Sequence, residues 1–178
     1  MPGISRQAVC YNCRPFPMRH LFSPWRMPYI GRNKAAEKAK GCVFCLALEQ
    51  QDGPDNLIVH RGRLAFVILN RFPYTSGHLM VLPFVHVANL HEVDAVTRAE
   101  LMELMNTAAL VLGRVYQPGG FNLGANLGAA AGAGLEEHLH LHVLPRWAGD
   151  TNFVSTLGKT RVLPETLTET WQRVRAAW

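Results

Sequence analysis

His138, His140 and His142 alternate with Leu139, Leu141 and Val143 in the run Glu137-His138-Leu139-His140-Leu141-His142-Val143-Leu144-Pro145-Arg146. Successive side chains of a strand point to opposite faces. The run therefore predicts a strand over 138–144, with three imidazoles on one face and an apolar face against a core. An imidazole titrates near neutral pH and serves as nucleophile, proton carrier or metal ligand. An apolar strand does not need histidine at three consecutive same-face positions, so this run is expected to carry the chemistry.

The 178 residues suit one domain with a sizeable core, or one domain plus an extension. Hydrophobic residues make up 48% and charged residues 17%, which fits an ordinary globular chain and excludes a disordered or fibrous one. The formal net charge is +5, but Lys and Arg are scattered. That pattern argues against a nucleic-acid stripe and fits the steering of a small anion into a cleft. No apolar run approaches the roughly 20 residues that span a bilayer, and residues 1–17 contain no secretory-type apolar stretch. The expectation is a cytoplasmic protein with neither membrane nor nucleic-acid partner.

Residues 1–17 read as a poorly ordered extension, with Met18 a plausible alternative start, and 18–178 as the catalytic domain. Residues 19–30 are aromatic with two prolines and look irregular, and 33–40 read as a solvated linker or helical turn. Strands are predicted at 57–60 and 64–69, joined by Arg61-Gly62-Arg63 as a hairpin, and at 78–82, entered through Pro73-Tyr74-Thr75-Ser76-Gly77. Thr97 and Glu100 fit a capping box opening a helix that runs to Tyr116. Leu101, Leu104, Met105, Ala108, Leu112 and Val115 hold its apolar spacing, and Pro118-Gly119-Gly120 stops it. A fourth strand is expected at 121–127. A last helix from near Pro164 carries the stripe Leu167, Trp171, Val174, Trp178. With no regular βαβ alternation, these elements predict an α+β fold with a mainly antiparallel sheet of about five strands, one long central helix and a C-terminal helix.

Two further patterns bear on chemistry. The segment Asn122-Leu123-Gly124-Ala125-Asn126-Leu127-Gly128-Ala129-Ala130-Ala131-Gly132-Ala133-Gly134 is nearly free of bulk. Such a backbone can approach an anion and aim N–H groups at it, or it can be a plain flexible connector. Four cysteines form two Cys-x-x-Cys pairs, Cys10/Cys13 and Cys42/Cys45. In a reducing compartment such a pair is more often metal-binding or redox-active than a structural disulfide. Cys42-Val43-Phe44-Cys45 can offer two thiolates to a tetrahedral zinc, or remain a pair of free thiols. Cys10/Cys13 has no obvious partners. Trp147 can stack on a base, seal a dimer contact or simply pack, and Tyr29, Phe44, Phe66 and Glu137 are similarly open.

Three stretches together resemble the histidine triad (HIT) family of nucleotidyl hydrolases and transferases: His138-x-His140-x-His142-Val143-Leu144, Phe66-Val67-Ile68-Leu69-Asn70-Arg71-Phe72-Pro73, and Gly77-His78-Leu79-Met80-Val81-Leu82-Pro83. The resemblance covers roughly residues 20–175. Ser23-Pro24-Trp25-Arg26, the Asn122–Gly128 loop and the Pro145-Arg146-Trp147 ending are similar to the bacterial diadenosine tetraphosphate phosphorylase branch. It implies a HIT-like fold and a homodimer. His140 would attack the α-phosphorus and hold AMP covalently, His142 would bind phosphate oxygens and assist the leaving group, and His138 would complete the triad. Asn70 would bind ribose, and Asn126 and the backbone at Gly132 and Gly134 would meet phosphate. His78 would support the triad from the neighbouring strand, or is a hydrogen-bonded core histidine. The implied zinc ligands are Cys42, Cys45, His86 and His138, in a structural site. Inorganic phosphate would accept AMP to give ADP. Hydrolysis of dinucleoside polyphosphates or nucleoside phosphoramidates is the alternative, and a binding module without turnover or a zinc hydrolase are rivals of other classes. Gly134 stands where many family members carry a serine or threonine.

Overall fold

Alternating and continuous apolar runs of four to six residues become strands, and every pairing between them is antiparallel. The computed structural model describes residues 41–152, 155, 157 and 163–178. The readings of 1–17, 19–30 and 33–40, and with them Cys10, Cys13 and Tyr29, lie outside the described residues. The strands are β1 (Ile58–Arg61), β2 (Ala65–Leu69), β3 (Leu79–Pro83), β4 (Gly120–Gly124) and β5 (Leu141–Arg146). They form one sheet in the order β1-β2-β3-β5-β4. The helices are α1 (Val43–Leu48), α2 (Ala95–Tyr116) and α3 (Leu167–Ala176). This is the expected α+β architecture.

Gly62 turns the β1–β2 hairpin, donating its N–H to the Ala65 carbonyl at 2.8 Å. Glu100 of α2 fastens the same turn by accepting the Arg63 and Leu64 N–H groups at 2.7 and 2.8 Å. That carboxylate is therefore not the capping-box partner of Thr97. The helix begins one turn earlier, where Asp94 accepts from Val96 and Thr97 N–H. Likewise α3 starts not near Pro164 but after Thr166, which forms a reciprocal capping box with Glu169. Its stripe packs as predicted, with Val174 buried and Leu167, Trp171 and Trp178 half-buried against the core. Trp171 Nε1–H and the Arg175 guanidinium donate to the Ile58 and Val59 carbonyls, satisfying part of the free edge of β1.

The core lies between the sheet and α2, which runs across β2, β3 and β5. Phe66, Leu79, Leu82, Leu101 and Leu112 are fully buried, each contributing on the order of 1.5–3 kcal/mol of transfer free energy. Gly77 adopts φ +72°, and a Cβ there would stand 2.9 Å from Leu112 and Tyr116 atoms, so only glycine leads cleanly into β3. Two strand boundaries differ from expectation by three residues. β4 ends at Gly124, and β5 begins at Leu141 because its ladder with β3 closes at Val81↔Leu141. His138, Leu139 and His140 lead into the strand instead, where the Leu139 N–H bonds to the Val87 carbonyl beyond β3.

Candidate active site and metal centre

The three triad imidazoles are brought to one side despite the late start of β5. The Phe44 ring of α1 meets the rings of both His138 and His140, at 5.5 and 5.6 Å between centroids. The His140 and His142 rings meet edge-on at 5.0 Å. His140 is only 7% exposed, and burial pulls its pKa below the ordinary imidazole value. Its Nδ1 lies 2.8 Å from the His138 carbonyl. A carbonyl can only accept, so Nδ1 carries the proton and Nε2 holds a lone pair. The middle histidine is thus a neutral imidazole in the tautomer a nucleophile requires.

His142 is fixed from the neighbouring strand. The backbone N–H of Tyr74 donates to His78 Nδ1 at 3.2 Å, and Asn70 Nδ2 lies 3.3 Å from the same atom. His78 must therefore carry its proton on Nε2, which it donates to His142 Nδ1 at 2.9 Å. That leaves the proton of His142 on Nε2. Burial, reinforced by His140, pushes the His142 pKa down to about 4. Asn70 is held in turn, its Oδ1 accepting the Phe72 N–H at 2.9 Å.

His138 uses its nitrogens the other way round. Nε2–H donates to the Pro83 carbonyl at 3.0 Å, so Nδ1 offers a lone pair. That atom sits 3.4 Å from Cys42 Sγ and 3.7 Å from Cys45 Sγ, and Cys45 Sγ is 3.3 Å from His86 Nδ1. All four donor atoms lie within 4.8 Å of one another. Sulfur and nitrogen ligands on a tetrahedral zinc would be roughly 3.5 Å apart, so the cluster fits such an ion. Burial and the neighbouring Cys42 push the Cys45 thiol up to about 11. Cys42 and Cys45 sit at the cap and in the first turn of α1, so the Cys-x-x-Cys pair opens a short helix.

The remaining predicted residues stand in the loop after β4, in the core strand β2 and just beyond β5. The Asn126 side chain is half-buried in the loop, and Gly132 and Gly134 are exposed. The Gly132 N–H, at φ +89°, already serves the Ala129 carbonyl at 2.9 Å. Phe66 lies in the core, stacked on Phe84. Trp147 is half-buried and edge-on to Tyr116, beyond a bidentate pair between Arg146 and Asp150. Sequence reasoning missed the Tyr74 amide and the Pro83 carbonyl, whose roles do not depend on side-chain identity.

A nucleophile-ready imidazole, flanked by one histidine turned to a pair of cysteine sulfurs and another turned to a buried histidine, defines the class. The chain belongs to the HIT domain family, whose family model matches residues 51–149. It is 38% identical over 168 residues to the AP-4-A phosphorylase of Mycobacterium tuberculosis, covering 90% of this chain and 85% of that protein. Among solved structures it is similar to a zinc-bound histidine triad family protein from Mycobacterium smegmatis. That match has 28% identity and a TM-score of 0.62, covering 78% of this chain and 94% of the other. A histidine triad nucleotide-binding protein from Sulfolobus tokodaii also matches at 28% identity and TM-score 0.62, covering 76% of this chain and 91% of that one.

Proposed function

We propose that this HIT-family enzyme transfers AMP from diadenosine polyphosphates to inorganic phosphate through a covalent adduct on His140. The observation that carries the reading is the 2.8 Å bond from His140 Nδ1–H to the His138 carbonyl, which frees Nε2 to attack. In the first half-reaction Nε2 forms a bond to the α-phosphorus. The P–O bond to the departing polyphosphate breaks, and the electron pair stays on that oxygen. In the second, a phosphate oxygen attacks the same phosphorus, ADP leaves, and the pair returns to Nε2. His142 Nε2–H donates to a phosphoryl oxygen as charge builds. Asn70 binds ribose, and Asn126 with the Gly132–Gly134 backbone borders the polyphosphate.

Similarity to the AP-4-A phosphorylase supports the substrate class, and phosphate as acceptor belongs to the same reading. Cys42, Cys45, His86 and His138 would hold zinc, which supplies a structural tie and no chemistry at phosphorus. The reading includes a homodimer, for which β4, an edge strand among the described residues, offers Leu123 at 51% exposed. The test is incubation with diadenosine tetraphosphate with and without phosphate. ADP formed only with phosphate is expected. AMP and ATP formed without it would identify hydrolysis instead.

A further inference from the structure

The cysteine–histidine cluster has an open side. Cys42 and Cys45 are half-buried and His86 is exposed, while His138 is only 1% exposed. Cys42 is the extended N-cap of α1 and Cys45 lies in its first turn, which the Leu46 N–H closes on the Cys42 carbonyl at 3.0 Å. Residues three apart around such a turn are neighbours, within the span a disulfide bridges, and the two Sγ atoms lie within 4.8 Å. Metal ligation keeps both sulfurs as thiolates, the form an oxidant attacks. A part-exposed thiolate with a second one beside it is the arrangement that oxidises to a disulfide.

The pair also holds α1 to the triad. This helix has six residues and no side-chain hydrogen bond at its N-cap, too short to sustain itself. Its C-terminal end is fastened by Asn56 Nδ2 on the Ala47 carbonyl at 3.1 Å and Arg61 on the Leu48 carbonyl at 3.2 Å. At its N-terminal end Cys42 Sγ faces His138 at 3.4 Å and Cys45 Sγ faces His86 at 3.3 Å. Between the two cysteines sits Phe44, whose ring meets both His138 and His140. A change at the sulfurs is therefore felt at the nucleophile.

We infer that Cys42 and Cys45 are a reversible oxidation site, at which hydrogen peroxide converts the two metal-binding thiolates to a disulfide, expels zinc and slows AMP transfer. One Sγ attacks a peroxide oxygen, the O–O bond breaks, and a sulfenic acid and hydroxide form. The second Sγ attacks that sulfur, the S–O bond breaks, and hydroxide leaves. Solvent protons turn both hydroxides to water, so the sulfurs lose two electrons and the peroxide gains them. The disulfide carries no charge for zinc, and His86 with His138 falls short of a closed four-ligand site. The bridge staples Cys42 to Cys45 but ties neither to His86 nor His138, so α1 and Phe44 lose that anchor. A dithiol reverses the step by thiol–disulfide exchange. The slowing rests on the transfer reading above, whereas the oxidation itself does not.

The experiment treats the full-length, zinc-loaded protein with hydrogen peroxide. It follows released zinc with a chromogenic chelator, cysteine pairing by non-reducing peptide mass spectrometry, and adenylylation of His140 from diadenosine tetraphosphate. The expected result is zinc released in step with a Cys42–Cys45 disulfide and adenylylation slowed roughly 10–100-fold, the usual cost of losing a supporting ligand. Dithiothreitol with zinc should restore both. Zinc retained under excess peroxide, pairing of either residue with Cys10 or Cys13, or full-rate adenylylation by the zinc-free disulfide form would each overturn the inference. No adduct from the reduced, zinc-loaded protein would overturn the transfer reading and the slowing with it, while zinc release and cysteine pairing decide the oxidation site by themselves.

Discussion

His138 and His142 flank the same nucleophile and are wired in opposite senses. His138 gives its Nε2 proton to the Pro83 carbonyl and turns a bare Nδ1 toward two sulfurs. His142 accepts on Nδ1 from His78 and keeps its proton on Nε2. The residue type and spacing are identical, so the difference comes entirely from what each ring meets. Extended pairing with β3 sets His142 beside Met80, within reach of His78. His138 stands before the strand begins, where α1 and the segment after β3 converge. In the proposed reaction one flank anchors and the other meets substrate; the two join at the His138 carbonyl that orients His140.

Removing the pivot has the largest effect. His140→Ala should lower AMP transfer by 10⁴-fold or more, on the order seen for lost nucleophiles, while equilibrium titration still shows nucleotide binding. Surviving turnover would mean the nucleophile lies elsewhere. Breaking the anchoring flank comes next. The double variant Cys42→Ser, Cys45→Ser should lose bound zinc by elemental analysis. It should also unfold earlier by roughly 5–10 °C, and chelator should produce a similar shift in the wild type. Equal melting of wild type and variant would remove the structural role from the cluster.

Breaking the substrate flank is milder. His78→Ala frees His142 to rotate and should reduce kcat roughly 10–100-fold with metal content unchanged. A drop in metal content would mean the two flanks are not separate. Acid loads both rings. Burial holds the three triad pKa values below 6.5, with His142 at about 4. The unfolded chain therefore takes up protons below about pH 6.5 that the folded one refuses. Stability should be flat above that pH and fall toward pH 4, by up to ~1.4 kcal/mol per unit for each ring. Denaturant melts between about pH 8 and pH 4.5 check it, and rising stability on acidification would reverse the sign.

Much of the framework around the two flanks was legible in the chain itself, for identifiable reasons. Strand alternation announced the three histidines, and continuous apolar runs announced β2 and β3, because burial imposes those patterns. The α2 stripe was equally plain. Helix starts were harder. Thr97 with Glu100 satisfies the local rule for a capping box, yet Glu100 is taken by the Arg63–Leu64 turn, far away in sequence. Asp94 then caps the helix. The early end of the β5 ladder was also hidden, because alternation continues through His138–His140 after pairing with β3 has stopped. The opposed wiring of the flanks was invisible for a different reason. It depends on the Tyr74 N–H and the Pro83 carbonyl, main-chain groups that no residue type reveals. His78, which the sequence left as either core residue or triad support, is fully buried and hydrogen-bonded to His142.

The most direct measurement is to mix the protein with diadenosine tetraphosphate in the absence of phosphate, quench in alkali, and locate any AMP by peptide mass spectrometry. The account predicts an acid-labile adenylyl group on the peptide bearing His140, discharged as ADP when phosphate is added. AMP transfer that proceeds at full rate with that peptide never modified would contradict it.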